Sequence, residues 1–252
     1  MKKLTVFQRS GGQRISKTNI LSTFPFISEK GHVISLVGGG GKTSLMEALA
    51  GACAASGKKT LVTTTTHIGI PTDGSYVTTL SEIEKRWEEG KYATVGYKES
   101  EHKLSMLSET ELRTYMNLAD ITLIEADGAK RMPCKVPRDR EPVILPECDI
   151  VIGVMGLDTL GRPCEEVCFC LDEMERFLGK DRSHIMNIED MVKILISEKG
   201  TKKGVGEREY YIVLNKCDEI PIDTVGDKLL EELEKCGEMR GRLTTFREVT
   251  HV

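Results

Sequence analysis

Short apolar runs and helix-spaced apolar stripes alternate along most of this chain. Val33-Ile34-Ser35-Leu36-Val37 is dense enough to be a buried strand, and Leu45, Met46, Leu49 and Cys53 then recur at helical spacing. Ser56-Gly57-Lys58-Lys59 closes that helix, and Thr60-Leu61-Val62-Thr63-Thr64 resumes as the return strand of a βαβ unit. Further buried strands are expected at residues 121–124, 149–155 and 210–214, and helices at 172–178, 188–196 and 224–236. A short helix near residues 18–22 and a turn at Pro25 lead into the first strand, and residues 246–252 read as a closing strand. Between residues 74 and 118 the pattern changes. Residues 76–79 look strand-like, Ser81 opens a charged helix, residues 93–96 and 103–107 pair as a hairpin, and Ser108-Glu109-Thr110-Glu111 resembles a capping box. The whole predicts an α/β fold, a mainly parallel sheet with helices on both faces. It forms one domain over residues 1–252 with a peripheral α+β insertion at about 74–118.

Composition narrows the partners. A net charge of −4 gives no general attraction to nucleic acid or acidic membranes. No apolar run approaches the roughly 18 residues of a membrane helix. The first residues turn polar too early for a secretion signal, so the expected location is cytoplasmic and the eight cysteines are expected to be thiols. Cys164, Cys168 and Cys170 cluster, at a spacing open to a soft metal or a sulfur or selenium adduct; without a paired Cys-x-x-Cys, inert packing is the simpler reading.

The chemistry starts where the first strand meets its helix. Gly38, Gly39, Gly40 and Gly41 precede Lys42, Thr43 and Ser44, so backbone N–H groups and a helix start can face a polyphosphate. Lys42 would reach the β- and γ-phosphates and Thr43 would ligate Mg²⁺. A standard P-loop has its first glycine five residues before its last, where this chain has Leu36. The dense Val-Gly-Gly-Gly-Gly-Lys-Thr run instead resembles the variant loop of SIMIBI P-loop NTPases. Val37 stands where many of those carry a signature lysine.

Residues 121–124 run into Glu125-Ala126-Asp127-Gly128, and either Glu125 or Asp127 could hold a Mg²⁺ water shell there. Thr63-Thr64-Thr65-Thr66-His67 ends the neighbouring strand with hydroxyls and an imidazole suited to water, metal or proton handling. Near the end, an apolar run leads into Asn215-Lys216-Cys217-Asp218. That pattern matches the Asn-Lys-x-Asp element that reads guanine: Asp218 would accept from the base, the Lys216 stem would pack along it, and Asn215 would brace the loop.

Beyond Gly128, residues 129–146 carry four of the eight prolines and the cations Lys130, Arg131, Lys135, Arg138 and Arg140, suited to an anion or to solvent. Taken with the glycine loop, Thr-Thr-Thr-Thr-His, Glu-Ala-Asp-Gly-Ala-Lys and Val154-Met155-Gly156-Leu157-Asp158-Thr159-Leu160-Gly161, this stretch resembles the accessory proteins of selenium-dependent molybdenum hydroxylases. The resemblance runs from about His32 to Asp218. It departs after Gly161, where relatives carry a His-Arg-Pro-Glu-like element and this chain has Cys168-Phe169-Cys170-Leu171. It implies a SIMIBI-like, Mg²⁺-dependent NTPase, GTP favoured over ATP, that assists maturation of such a hydroxylase. The implied partners are a hydroxylase apoprotein or cofactor-maturation proteins, with a homodimer open. With Val37 at the signature position, Lys130 or Arg131 is expected to bring transition-state charge in cis, beside Lys42 and Asp127. Two other classes fit the same residues: a small-molecule kinase or group-transfer enzyme whose proline loop holds an anionic acceptor, and a non-hydrolytic module that docks partners according to nucleotide occupancy.

Overall fold

A computed structural model describes residues 4–9 and 15–247. Its first elements are β1 (Thr5–Gln8), β2 (Ser16–Thr18), α1 (Ile20–Thr23), β3 (His32–Gly38), α2 (Lys42–Ala55) and β4 (Thr60–Thr64). Next come β5 (His67–Gly69), α3 (Leu80–Glu88), β6 (Ala93–Thr94), β7 (Tyr97–Lys98), β8 (Lys103–Ser105), α4 (Glu109–Leu118), β9 (Ile121–Glu125) and β10 (Cys134–Lys135). The rest are β11 (Ile150–Gly156), α5 (Cys164–Val167), β12 (Cys168–Phe169), α6 (Leu171–Leu178), α7 (Ile188–Ile196), β13 (Glu209–Asn215), α8 (Asp227–Lys235) and β14 (Gly241–Thr245).

A nine-stranded sheet organises them, in the order β2-β1-β14-β13-β11-β3-β9-β4-β6. Neighbours from β14 to β6 all run parallel, and β1 and β2 add antiparallel strands beyond β14. The apolar strands explain this: β3, β9, β11 and β13 are buried along nearly their whole length, as strands covered on both faces must be. On one face, Leu45, Met46 and Leu49 of α2 pack with Ile34, Leu36, Leu123 and Val154. On the other, Met191, Ile194 and Leu195 of α7 and Leu229 and Leu233 of α8 pack with Val151, Ile212 and Leu243. Full burial of each such leucine contributes about 1.5–3 kcal/mol.

Several local expectations change. The helix expected to open at Ser81 is capped by Thr79, whose side chain accepts from Glu82 N–H while Glu82 reaches back, a Thr-x-x-Glu box. Residues 93–96 and 103–107 do not form a hairpin. β6 instead joins the main sheet parallel to β4, and β8 lies between β5 and β7 in a separate three-stranded sheet. Tyr76 makes only an isolated bridge to Thr94. The segment near residue 18 is strand β2 before it is helix α1, and the last helix begins with a π-type turn over Ile222–Gly226. The closing strand ends at Thr245, one residue before its expected start; residues 248–252 lie outside the described residues.

This topology positions a site. The chain leaves β3, crosses β9 to reach β4, returns as β9, and then passes β3 to build β11, β13 and β14 on the other side. Ligands of open parallel sheets sit in the crevice at the carboxyl ends of strands where the winding reverses. At that end lie Gly38 of β3, Glu125 of β9, Gly156 of β11 and Asn215 of β13. Among the described residues, no helix is long and apolar enough to cross a membrane.

Candidate functional site: the carboxyl ends of β3, β9 and β13

Only Gly39, Gly40 and Gly41 separate the last residue of β3 from the first of α2. The loop is therefore tight, and protein backbone presses on it. A Cβ on Gly40 would lie 2.0 Å from the amide nitrogen of Gly156, and Gly40 also has φ +77°, so the position accepts no side chain. Close packing and the left-handed backbone at Gly38, Gly40 and Gly41 together require glycine.

The loop amides divide into two groups. Gly38 N–H donates to both oxygens of Asp127 at 3.2 Å, Gly39 N–H to Val154 O at 2.9 Å, and Gly40 N–H to Met132 O at 3.0 Å. Those three amides hold the loop to β9, β11 and the proline segment, a correction to the expectation that all of them face a polyphosphate. The donors facing outward are at the start of α2: Gly41 is its N-cap, no side chain caps it, and the first-turn amides of Lys42, Thr43 and Ser44 have no intrahelical acceptor. Gly41, Thr43 and Ser44 are exposed, as an anion-receiving helix end needs.

Lys42 is 4% exposed. Its ammonium donates to Gly38 O and pairs with Asp127 at 3.1 Å. On the far side of Asp127 stands Lys135, 1% exposed, at 3.3 Å, and Lys135 continues to Glu141 at 2.9 Å and Gly128 O at 2.6 Å. Lys42, Asp127, Lys135 and Glu141 thus form a row of alternating charge under the loop. In sequence Lys135 is one of five cations suited to an anion or to solvent; the structure buries it beside Asp127.

Glu125, which ends β9, and Asp127, two residues beyond it, have different duties. Asp127 is occupied by two ammonium groups and the Gly38 amide. Glu125 faces Thr43, whose hydroxyl donates to it at 2.9 Å. Burial pushes the Glu125 carboxyl above the usual carboxylate range, against the pull of Lys42 and Thr43. An acid held above its ordinary pKa binds its proton more tightly when folded. Its effect on stability is therefore most favourable below the ordinary pKa and is lost as pH rises through the folded value. Glu125→Gln should accordingly raise the Tm of the free protein near neutral pH by about 2–4 °C, the response to about 1 kcal/mol in a chain of this size. A scanning-fluorimetry Tm unchanged or lowered at neutral pH would defeat this assignment. Thr43 and Glu125 offer only oxygen, which suits a hard cation such as Mg²⁺ completing its shell with phosphate oxygens and water.

At the end of β13, Asn215 Nδ2 donates to Gly40 O at 2.9 Å, and Thr244 hydroxyl donates to Asn215 Oδ1 at 3.1 Å. Asp218 accepts from the Thr245 hydroxyl and pairs with Arg247 at 3.2 Å, while Lys216, at φ +63°, pairs with Asp158. Of these three, Asn215 bonds the glycine loop directly, while Lys216 and Asp218 are held by Asp158, Thr245 and Arg247. Thr244, Thr245 and Arg247 complete this side. They lay beyond sequence reasoning because a Thr-Thr pair at a strand end has no distinctive spacing.

Other candidates lie differently. His67 is half exposed, on the small three-stranded sheet, 3.3 Å from Glu99. The threonines before it hold neighbouring segments: Thr64 hydroxyl donates to Glu125 O of β9 at 2.8 Å and Thr65 hydroxyl to Val143 O of the proline segment at 2.7 Å. Lys130 and Arg131 are exposed, and the Lys130 ammonium sits 5.5 Å from the Phe169 ring centre. Cys164, Cys168 and Cys170 are buried, and Cys168 pairs in register with Cys134. A hydrogen bond with Cys168, then burial, pushes the Cys134 thiol up; burial pushes Cys164 and Cys170 to about 11. Cys134, Cys164 and Cys170 therefore stay protonated at neutral pH, and among the described residues no group of three or more His, Cys, Asp or Glu side chains is arranged to hold a metal.

Comparison with known proteins places part of the chain, including the glycine loop and β9 but not the end of β13, in a family. The model of the YqeC protein family matches residues 34–172, which span β3, α2, β9 and the proline segment. The chain is also 31% identical over 189 residues to the Uncharacterized protein YqeC of Escherichia coli (strain K12), covering 69% of this chain and 71% of that one. The chain with Gly38–Lys42 beside Glu125 and Asp127 belongs to the YqeC family.

Proposed function

We propose that this protein is a Mg²⁺-dependent P-loop nucleoside triphosphatase of SIMIBI-like type, preferring GTP. Its proposed role is to assist, in the cytoplasm, the maturation of a selenium-dependent molybdenum hydroxylase. The observation that carries the reading is the bond from Asn215 to Gly40 O, which fastens the candidate base-reading loop to the candidate phosphate loop at 2.9 Å. A triphosphate tail at the start of α2 and a base at Asp218 are then the two ends of one ligand.

Each side chain has a task in this scheme. The amides of Gly41 to Ser44 receive phosphate oxygens. Lys42 turns from Gly38 O toward the β- and γ-phosphates, and Asp127 holds the ammonium in position until then. Thr43 and Glu125 would hold Mg²⁺, which when bound neutralises phosphate charge. Asp218, kept in place by Thr245 and Arg247, accepts from the N–H donors of guanine, an arrangement adenine does not offer.

Calorimetric titration with GTP and ATP, with and without Mg²⁺, tests the base assignment. Asp218→Ala should weaken GTP binding about 10²-fold or more, since each hydrogen bond to a charged group is worth about 1.5–3 kcal/mol, and should leave ATP binding where it was. Equal affinities for the two nucleotides, unchanged in the variant, would overturn the preference for GTP. Co-purification with a molybdenum hydroxylase apoprotein tests the maturation role separately.

A further inference from the structure

Lys130, Arg138 and Lys135 all converge on one aromatic ring. Their charged groups lie 5.5, 5.3 and 5.6 Å from the centre of Phe169. The ring is fixed there by backbone, because Phe169 pairs with Lys135 across β12 and β10 and its carbonyl accepts from Val136 N–H at 3.4 Å. Lys135 is balanced by Asp127 and Glu141. Lys130 and Arg138 are exposed, and no carboxylate pairs with either side chain among the described contacts. A cation over a ring face gains only about 0.5–1 kcal/mol at an exposed site, too little to explain gathering like charges on one residue.

The backbone holds these cations in place. Lys130 and Arg131 are consecutive left-handed residues, at φ +46° and +65°, in a reverse turn closed by Met132 N–H to Ala129 O at 2.9 Å. Turns of this shape favour Asn and Gly, and each bulkier residue there costs about 1–2 kcal/mol. Arg138 is held from its own backbone: Glu141 N–H donates to its carbonyl at 3.0 Å, and so does the Lys203 ammonium at 2.7 Å. Met132, which ends the strained turn, accepts from Gly40 of the glycine loop. The cationic cluster is thus tied directly to the candidate phosphate site.

We infer that Lys130 and Arg138, set by Phe169, form a second anion site beside the glycine loop, one that binds a small molecule through a phosphate monoester or similar tetrahedral dianion. The forked Arg138 guanidinium matches two oxygens of such a group, and Lys130 supplies a second positive charge. With a nucleotide in the neighbouring crevice, the bound anion would be a substrate or group acceptor held close to the terminal phosphate. The site itself does not depend on the nucleotide reading.

The test is an NMR titration of the ¹⁵N-labelled full chain with inorganic phosphate. Two groups of amides should shift: Gly41 to Ser44 at the helix start, and Lys130, Arg131 and Phe169 at the cluster. Lys130→Gln with Arg138→Gln should weaken the second response at least tenfold and leave the first intact. Lys42→Ala should do the reverse. The Gln variant leaves the backbone bonds of its loops in place, Lys42→Ala removes the ammonium bond to Gly38 O, and an unchanged remainder of the amide spectrum reports that each is folded. If the Lys130 and Phe169 amides do not shift, or shift equally in the Gln variant, the second site is wrong. If Lys42→Ala leaves the helix-start response untouched, the phosphate-loop reading falls and the second site stands.

Discussion

Asp127→Ala is expected to lower the unfolding free energy by about 3–5 kcal/mol, the usual cost of removing one member of a buried ion-pair group. Asp127 is 2% exposed and stands between two ammonium groups that are themselves 4% and 1% exposed. Without it, Lys42 keeps only Gly38 O, Lys135 keeps Glu141 and Gly128 O, and the Gly38 amide loses its acceptor. In a chain of this size the Tm should fall by about 10 °C. Asp127→Asn should fall as well, because it restores the shape and not the charge. A Tm within one or two degrees of wild type for both variants would show that the buried row of charge is not what holds these strand ends together.

Lys42→Ala should have the second large effect, this time on chemistry. Removing a preorganised cation from developing phosphate charge costs about 10²–10³-fold in turnover. Its structural cost should be smaller than that of Asp127→Ala, because Asp127 retains Lys135 and the Gly38 amide. Phosphate release at saturating GTP and Mg²⁺, measured beside Tm, separates the two. Turnover near wild type would remove Lys42 from the mechanism and with it the proposed triphosphatase.

Much of the fold was legible because the central strands are buried on both faces. Continuous apolar runs such as residues 210–214 cannot be mistaken for surface strands, and α2 follows its strand after a glycine break. Pairs as short as β6, β7 and β8 were not legible. Two or three residues carry too little periodicity to choose a partner, so neighbouring sheets decide it. Thr79, not Ser81, is the cap because Glu82 three residues on closes the box with it.

The site divides along similar lines. The approach of Lys42, Thr43 and β9 followed from spacing, because strand-end residues of adjacent parallel strands must meet. Glu125 and Asp127 could not be told apart, since both are carboxylates at the same strand end, one in its last residue and one just beyond it. What separates them is who donates to each, a tertiary fact: Thr43 to one, two lysines to the other. Lys135 was hidden for the opposite reason, because a proline-rich cationic run gives no sign of which member turns inward. The glycine run is needed both for its left-handed backbone and for its smallness, pressed against the end of β11, and spacing alone shows only the first.

The alternating row from Lys42 to Glu141 also has a mechanical consequence. In the proposed scheme, a bound anion would draw the Lys42 ammonium away from this row. Once Lys42 turns outward, Asp127 must draw more heavily on Lys135, and the grip of Lys135 on Glu141 slackens in proportion. Filling the crevice would then be felt at the far end of the proline segment without any strand moving, much as pulling one bead shifts tension along a string.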